Sequence, residues 1–357
     1  MTAEENMPGA TLEIAELTRH FGSVVAVDKV SLALAAGEIV AILGPSGSGK
    51  STLLGMVGGQ LRPNSGDIRI SGEAIVELPP NKRPTATVFQ DYALFPHLNV
   101  AENIAFGLRM HRWAKPDIER QVAHMLELVG LSGYERRAIS QLSGGQRQRV
   151  ATARALAVQP RVLLLDEPLG ALDRQIRLRL QKELGELLRR LRMTALLVTH
   201  DQQEAFAMSD RVAVMRNGKL LQVATPGELY RSPHDAFTAT FLGKGRLLSG
   251  TIVKQEAGML VVAAEGATFT CRGEGQSGSA VEVLIRPEHV LIVPNGSSGA
   301  TWQDVTVQDI TPAGETSDIV LARGDFRIES VVLGLPVHKP GDKVAIGLAP
   351  SGPFVMP

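Results

Sequence analysis

The chain has 357 residues, 44% hydrophobic and 21% charged, enough apolar material for two packed cores and too much for a disordered polypeptide. Its 37 basic and 37 acidic residues cancel, which argues against a nucleic-acid binder that works through a general positive field. The single cysteine, Cys271, excludes an intrachain disulfide and fits a reducing compartment.

Residues 1–10 are acidic and polar, lack the apolar run of a signal peptide, and are expected to be disordered. Residues 11–17 and 24–34 alternate or run apolar and predict strands around a turn at Phe21-Gly22-Ser23. Residues 38–43 predict a short buried strand. Gly44-Pro45-Ser46-Gly47-Ser48-Gly49-Lys50-Ser51-Thr52 follows it directly and opens a helix. Strand, glycine-rich loop and helix are the context a phosphate cradle needs. The glycines let backbone N–H groups close around a triphosphate, Lys50 can reach its outer oxygens, and the Ser51 hydroxyl can ligate Mg²⁺.

Residues from about 93 to 158 predict a helical lobe, with capping-box spacing at Asn99 and Glu102 and Pro116 suited to a first turn. Within it, Leu142-Ser143-Gly144-Gly145-Gln146 is a second glycine-rich turn whose helix N-terminus can point donors at a phosphate. Buried-strand patterns return at 161–166 and 195–199. Between them, Ile176, Leu180, Leu184, Leu187, Leu188 and Leu191 share one helical face. Asn217-Gly218 marks a hairpin. No apolar run approaches the ~18 residues of a membrane helix, so a link to a membrane is expected to run through a partner.

The strand over 162–165 delivers Asp166, suited to Mg²⁺, and Glu167, suited to polarising an attacking water. Gln90 lies between the core and the lobe, Gly170-Ala-Leu-Asp173 forms a loop beside the same carboxylates, and His200 ends the last buried strand. A neutral imidazole at His200 can donate to a γ-phosphate. Beyond Leu242 glycine punctuates short apolar stretches at 259–263, 280–285, 305–310 and 343–346, which predicts a small all-β domain of barrel type.

These motifs occur in the order and at the spacings of ATP-binding cassette (ABC) ATPases, which the chain resembles over about residues 11–242. The resemblance implies an α/β, P-loop NTPase (RecA-like) core with an inserted α-helical subdomain. It implies ATP as substrate with Mg²⁺ as cofactor, held by Ser51, Gln90 and Asp166. Glu167 is then the catalytic base, Lys50 and His200 contact phosphate, Phe21 stacks on adenine, and Asp173 borders the nucleotide. Ser143, Gly144, Gly145 and Gln146 face the nucleotide of a second copy, so the implied unit is a homodimer with two composite sites.

Residues 281–289, including Arg286, Pro287, Glu288 and His289, are similar to the recurrent segment of TOBE domains, OB-like barrels, placed here at 243–357. Residues 87–97 and 102–109 resemble the ATPase subunits of bacterial polyamine and ferric-iron importers. The expectation is therefore an ATPase on the cytoplasmic face of the inner membrane, partnered by an integral-membrane permease and an extracytoplasmic solute-binding protein, with no nucleic acid. Polyamine leads as the solute; ferric iron, phosphonate, sulfate and sugar stay open. A soluble ABC ATPase and a ligand-binding regulator are the non-transport alternatives.

Overall fold

The computed structural model describes residues 9–170, 173–256, 258–350 and 352–356. Two units follow one another along the chain, divided after Pro226.

The first unit holds two sheets. β1 (Leu12–Phe21) and β2 (Val24–Leu34) form an antiparallel hairpin, and β3 (Ile39–Leu43) is buried at every position, as a strand covered on both faces must be. After α1 (Lys50–Gly58), β4 (Ser65–Ile70) and β5 (Glu73–Ala74) join the hairpin in the order β2-β1-β4-β5. β6 (Thr85–Val88) leads to a helical lobe of α2 (Val100–Met110), α3 (Lys115–Leu128) and α4 (Gly144–Ala157). The chain then returns through β7 (Val162–Asp166), α5 (Arg174–Arg190), β8 (Thr194–Thr199), α6 (Gln202–Met208), β9 (Arg211–Arg216) and β10 (Lys219–Ala224).

The second sheet has the order β10-β9-β3-β8-β7-β6, parallel except for β10. Asn217 and Gly218 both have positive φ, 49° and 80°, the geometry of a type I′ turn. Leu53, Met56 and Val57 of α1 share one core with Leu12 and Ile14 of β1 and Val40 and Ile42 of β3, so the cradle's helix is fixed to both sheets. On α5, Leu180, Leu184 and Leu188 are buried as predicted, while Ile176 is exposed: the apolar face engages only after the first turn. Ala10, expected in a disordered start, is buried, and its carbonyl accepts from Thr194 Oγ1 at 2.8 Å. Residues 1–8 of that expected segment lie outside the described residues.

The second unit, residues 227–357, has its own core. One five-stranded sheet has the order Ala267–Cys271, Met259–Ala264, Arg246–Glu256, Ala280–Ile285, Phe354–Val355. The other has Val290–Val293, Lys343–Leu348, Trp302–Pro312, Thr316–Arg323, Phe326–Leu333, and every pairing in both is antiparallel. Buried Trp302 contacts the rings of Phe269 and Phe326.

All four glycine-punctuated stretches lie in these strands, and the two sheets are all β as expected, but the compact unit that holds them begins before residue 243 and takes in a short helix ahead of the strands. After α7 (Pro226–Arg231), at whose start the units divide, α8 (Ala236–Phe241) packs Ala239 against Leu284 and Met356. Arg286 Nη1 donates to the carbonyls of Ala239 at 2.8 Å and Gly243 at 3.0 Å. The composition change near residue 242 marks where strands start, not where packing changes. Among the described residues, no helix is long and apolar enough to cross a membrane.

Candidate functional site

Parallel pairing aligns strand ends. Leu43 of β3 lies opposite Thr199 of β8, Val198 of β8 opposite Asp166 of β7, and Leu165 of β7 opposite Val88 of β6. The cradle after β3, His200 after β8, Asp166-Glu167 at the end of β7 and Gln90 just past β6 therefore share one sheet edge. Ligands of open parallel sheets bind at this carboxyl edge.

The cradle is shaped by close backbone approach. A Cβ on Gly44 would lie 2.2 Å from the Met215 carbonyl oxygen, and one on Gly49 2.2 Å from that of Ala26. Gly49 caps α1 at φ 103°, a conformation glycine adopts without strain. Gly47, at φ 77°, faces open space, with nothing within 4 Å of a Cβ built there. Pro45 is half-buried and Ser46 exposed on the same turn, and Thr52 is half-buried in the first turn of α1. Ser48 is buried, and its hydroxyl has no protein partner.

Lys50 is also buried. Its Nζ donates to the carbonyls of Gly44 and Pro45, each at 2.9 Å, so the cation sits over the loop. Burial lowers its pKa, and the facing carboxylates of Glu167 and Asp166 oppose that shift. Ser51 Oγ donates to Asp166 Oδ1 at 3.3 Å. The Asp166 carboxyl is shifted upward, chiefly by burial and further by Glu167, against the bond from Ser51 and the charge of Lys50.

Glu167 has φ +44°, a left-handed backbone that costs a non-glycine residue about 1–3 kcal/mol. Its N–H donates to Val198 O at 2.9 Å and its carbonyl accepts from Gly170 N at 3.1 Å, which holds that conformation. The side chain meets His200, with Nδ1 3.1 Å from Glu167 Oε1 and the imidazole 55% exposed. This contact changes the expected chemistry of His200. A neutral ring donating from Nδ1 to Glu167 presents only a lone pair at Nε2, so donation from Nε2 to a phosphate needs an imidazolium or a turned ring. Gln90 is exposed, and Gly170 lies between its amide and Glu167: a Cβ on Gly170 would sit 3.7 Å from Gln90 Nε2 and 3.7 Å from Glu167 Oε2.

The oxygens of Ser51, Asp166 and Gln90 are the hard donors that suit Mg²⁺. Among the described residues no group of three or more His, Cys, Asp or Glu forms a self-contained metal site, so such an ion depends on a substrate's phosphates for further ligands.

Other expected residues stand apart. Phe21 ends β1, 43% exposed and outside the core, beside exposed Val24 and Val25, and with Arg19 Cζ 4.7 Å from its ring centroid. Asp173 caps α5, accepting from Ile176 N at 3.1 Å; Ala171 and Leu172 of its loop lie outside the described residues.

Ser143 caps α4: its Oγ accepts from Gln146 N at 3.3 Å, and its N–H donates to Gln146 Oε1 at 3.0 Å. Buried Gly145 lets α4 approach α5, since a Cβ there would lie 3.1 Å from Leu180 Cδ1. Ser143, Gly145 and Gln146 line a groove of about 460 Å³ with Tyr134, Ile176 and Arg179, and no residue of the 44–52 loop lines it. Gly144, half-buried, starts α4 next to it. The chain does not bring this turn to its own cradle.

Three supports at the edge escaped sequence reasoning. Buried Glu204 of α6 accepts from the Thr199 hydroxyl, and burial pushes its carboxyl up to about 7. Asn103 Oδ1 accepts from Phe95 N at 2.8 Å, and Arg154 donates to the carbonyls of Tyr92 and Ala93 at 2.9 and 2.7 Å. Only Glu204 left a signal, the Asp201-x-x-Glu204 spacing of a capping box.

A family model described as ABC transporter matches residues 27–170, and one described as TOBE domain matches residues 283–356. The chain is 42% identical over 353 residues to a spermidine/putrescine import ATP-binding protein of Rubrobacter xylanophilus, covering 98% of this chain and 91% of that protein. A protein so named from Borreliella afzelii is 44% identical over 353 residues, covering 98% and 99% respectively. Another, from Bacteroides thetaiotaomicron, is 46% identical over 284 residues, 79% of this chain, which spans only 60% of that longer protein.

Proposed function

The chain belongs to the ABC transporter family, and we propose that it is the ATP-hydrolysing subunit of a bacterial importer, acting as a homodimer beneath a separate integral-membrane permease. The observation that carries this reading is the convergence of the Gly44–Lys50 cradle, Asp166-Glu167 and His200 on one sheet edge.

In this reading Gly44–Thr52 wraps the triphosphate with backbone N–H groups, and Lys50 turns from the Gly44 and Pro45 carbonyls to its outer oxygens. Ser51, Asp166 and Gln90 hold Mg²⁺, which when bound supplies charge neutralisation on the phosphates. Glu167 accepts the proton of the attacking water. His200 stands beside Glu167 and contacts the γ-phosphate once Nε2 carries a proton. Exposed Phe21 offers its ring to adenine, and Asp173 borders the site.

The groove at Ser143–Gln146 has no same-chain cradle beside it, which supports a second copy as the source of the phosphate it meets. Closure on ATP and reopening after hydrolysis then drive alternating access in the permease. The assembly includes an extracytoplasmic solute-binding protein, and the subunit is peripheral to the cytoplasmic face of the inner membrane.

Polyamine is the solute this reading favours, since the spermidine/putrescine import proteins match nearly the whole chain. The test is reconstitution of the chain with its permease and binding protein in liposomes. Hydrolysis stimulated by spermidine or putrescine, and not by ferric iron, phosphonate, sulfate or sugar, is the expected outcome. Stimulation by another solute instead would reassign the substrate and leave the ATPase reading standing.

A further inference from the structure

We propose that Glu204 is a positioning residue that fixes His200 at the catalytic edge by holding the hydroxyl of Thr199. The proposal rests on His200 acting in hydrolysis, as read above.

Thr199 and Glu204 are 1% and 2% exposed, yet His200 between them and the solvent is largely open. The Thr199 hydroxyl accepts from Asp201 N at 3.0 Å, which leaves its one proton to be donated to Glu204 Oε2. Asp201 Oδ1 in turn accepts from the N–H groups of Gln203 at 2.8 Å and Glu204 at 3.2 Å. Residues 199, 201 and 204 thus close a hydrogen-bonded ring with His200 at its outward apex. The neighbouring strands locate that ring: Thr199 is paired with Leu43 at the mouth of the cradle, and Val198 O receives the N–H of Glu167. A shift of Thr199 would therefore move the imidazole relative to both phosphate and base.

A glutamate at the third position of a helix normally reaches back to the N-cap N–H. Here Asp201 N is taken by Thr199, and Glu204 spends its oxygen on the strand end instead. Its other oxygen, Oε1, is buried with no partner. An orphaned buried oxygen is destabilising, a cost set against the bond that keeps the buried Thr199 hydroxyl satisfied. The charged groups facing Glu204 are Asp201 and Glu167, which repel its ionised form, and Arg177, ion-paired to Asp201 at 3.3 Å. Burial dominates, so the carboxyl is near half-protonated at neutral pH and the bond does not depend on its charge.

The experiment is steady-state ATP hydrolysis by the full chain and its variants. His200→Ala is measured first: turnover at the wild-type rate would sink the reading of the site itself. With His200→Ala slow, Glu204→Ala and Thr199→Val are each expected to lower kcat by about ten-fold or more, with KM for ATP within roughly two-fold. Glu204→Gln, which keeps an acceptor for Thr199, should stay within roughly two-fold of wild type. Glu204→Ala and Thr199→Val combined should be no slower than the slower single variant, because both break one bond. The proposal is overturned by wild-type kcat in Glu204→Ala, by Glu204→Gln as slow as Glu204→Ala, by a change confined to KM, or by losses that multiply. If Glu204→Ala does not fold, Thr199→Val against Thr199→Ser carries the test, and equal rates for those two overturn it.

Discussion

Lys50 donates to the two carbonyl oxygens of Gly44 and Pro45, and burial lowers its pKa against the facing carboxylates of Glu167 and Asp166. At Glu204 burial, with Asp201 and Glu167 beside it, outweighs the bond from Thr199 and the charge of Arg177. The Glu204 pKa is raised from 4.5 to about 7, so between those values the native chain keeps a proton that the unfolded chain has released. Stability is then full below pH ~4.5 and falls as pH rises through ~7, by on the order of 3 kcal/mol. Glu204→Gln removes that loss. Thermal melts should place the variant further above wild type at about pH 8 than at about pH 5, whereas a gap that does not change with pH would show Glu204 ionised throughout. Phe21 makes a simpler case. The residue is exposed and outside the core, so Phe21→Ala should fold normally and raise KM for ATP roughly ten-fold with kcat unchanged, as loss of one base stack requires. An unchanged KM would leave the ring without its assigned partner.

At the scale of elements, the connector between β6 and α2 joins nucleotide to lobe. Tyr92 and Ala93 both have positive φ, 65° and 45°, and Arg154 of α4 holds their carbonyls. Asn103 of α2 grips Phe95 at both its N–H and its carbonyl. Phe95 is only half-buried, its centroid 4.4 Å from that of Phe106, and exposed Phe106 and Met110, one turn apart on α2, give that helix an apolar surface. In the proposed importer, that surface would receive a short helix of the permease. Phe95→Ala should leave hydrolysis by the isolated subunit near normal and abolish transport by the assembled complex, since truncating such an anchor costs about 2 kcal/mol or more of interface energy. Loss of hydrolysis in the isolated subunit would make the segment a structural connector instead.

The contrast between these elements explains what could be read from the chain. The cradle, the β7 carboxylates and the capping boxes at Asn99 and Ser143 are local patterns, set by residues within a few positions of one another. The grips of Arg154 on Tyr92 and of Arg211 on Glu38 span tens of residues or more, and no spacing rule reports them. Glu204 escaped for a different reason: its capping-box spacing from Asp201 carries no sign of the strand-end hydroxyl of Thr199 that it binds in the fold.

For the whole molecule, the start of the second unit at residue 227 was hidden because α7 and α8 keep the composition of the first unit while α8 packs with the strands that follow. The claim on which function turns is that a cradle in one copy meets Ser143–Gln146 of another. Glu167→Gln keeps the cradle, Lys50 and the capped α4 turn, and removes only the carboxylate proposed to take the water's proton. Turnover should fall by roughly 10²–10⁴, the usual contribution of a positioned base, so bound ATP persists. The decisive measurement is size-exclusion chromatography of Glu167→Gln with and without ATP and Mg²⁺: a shift to a dimer only when both are present is the expected result. Elution as a monomer under saturating ATP and Mg²⁺ would contradict a composite site.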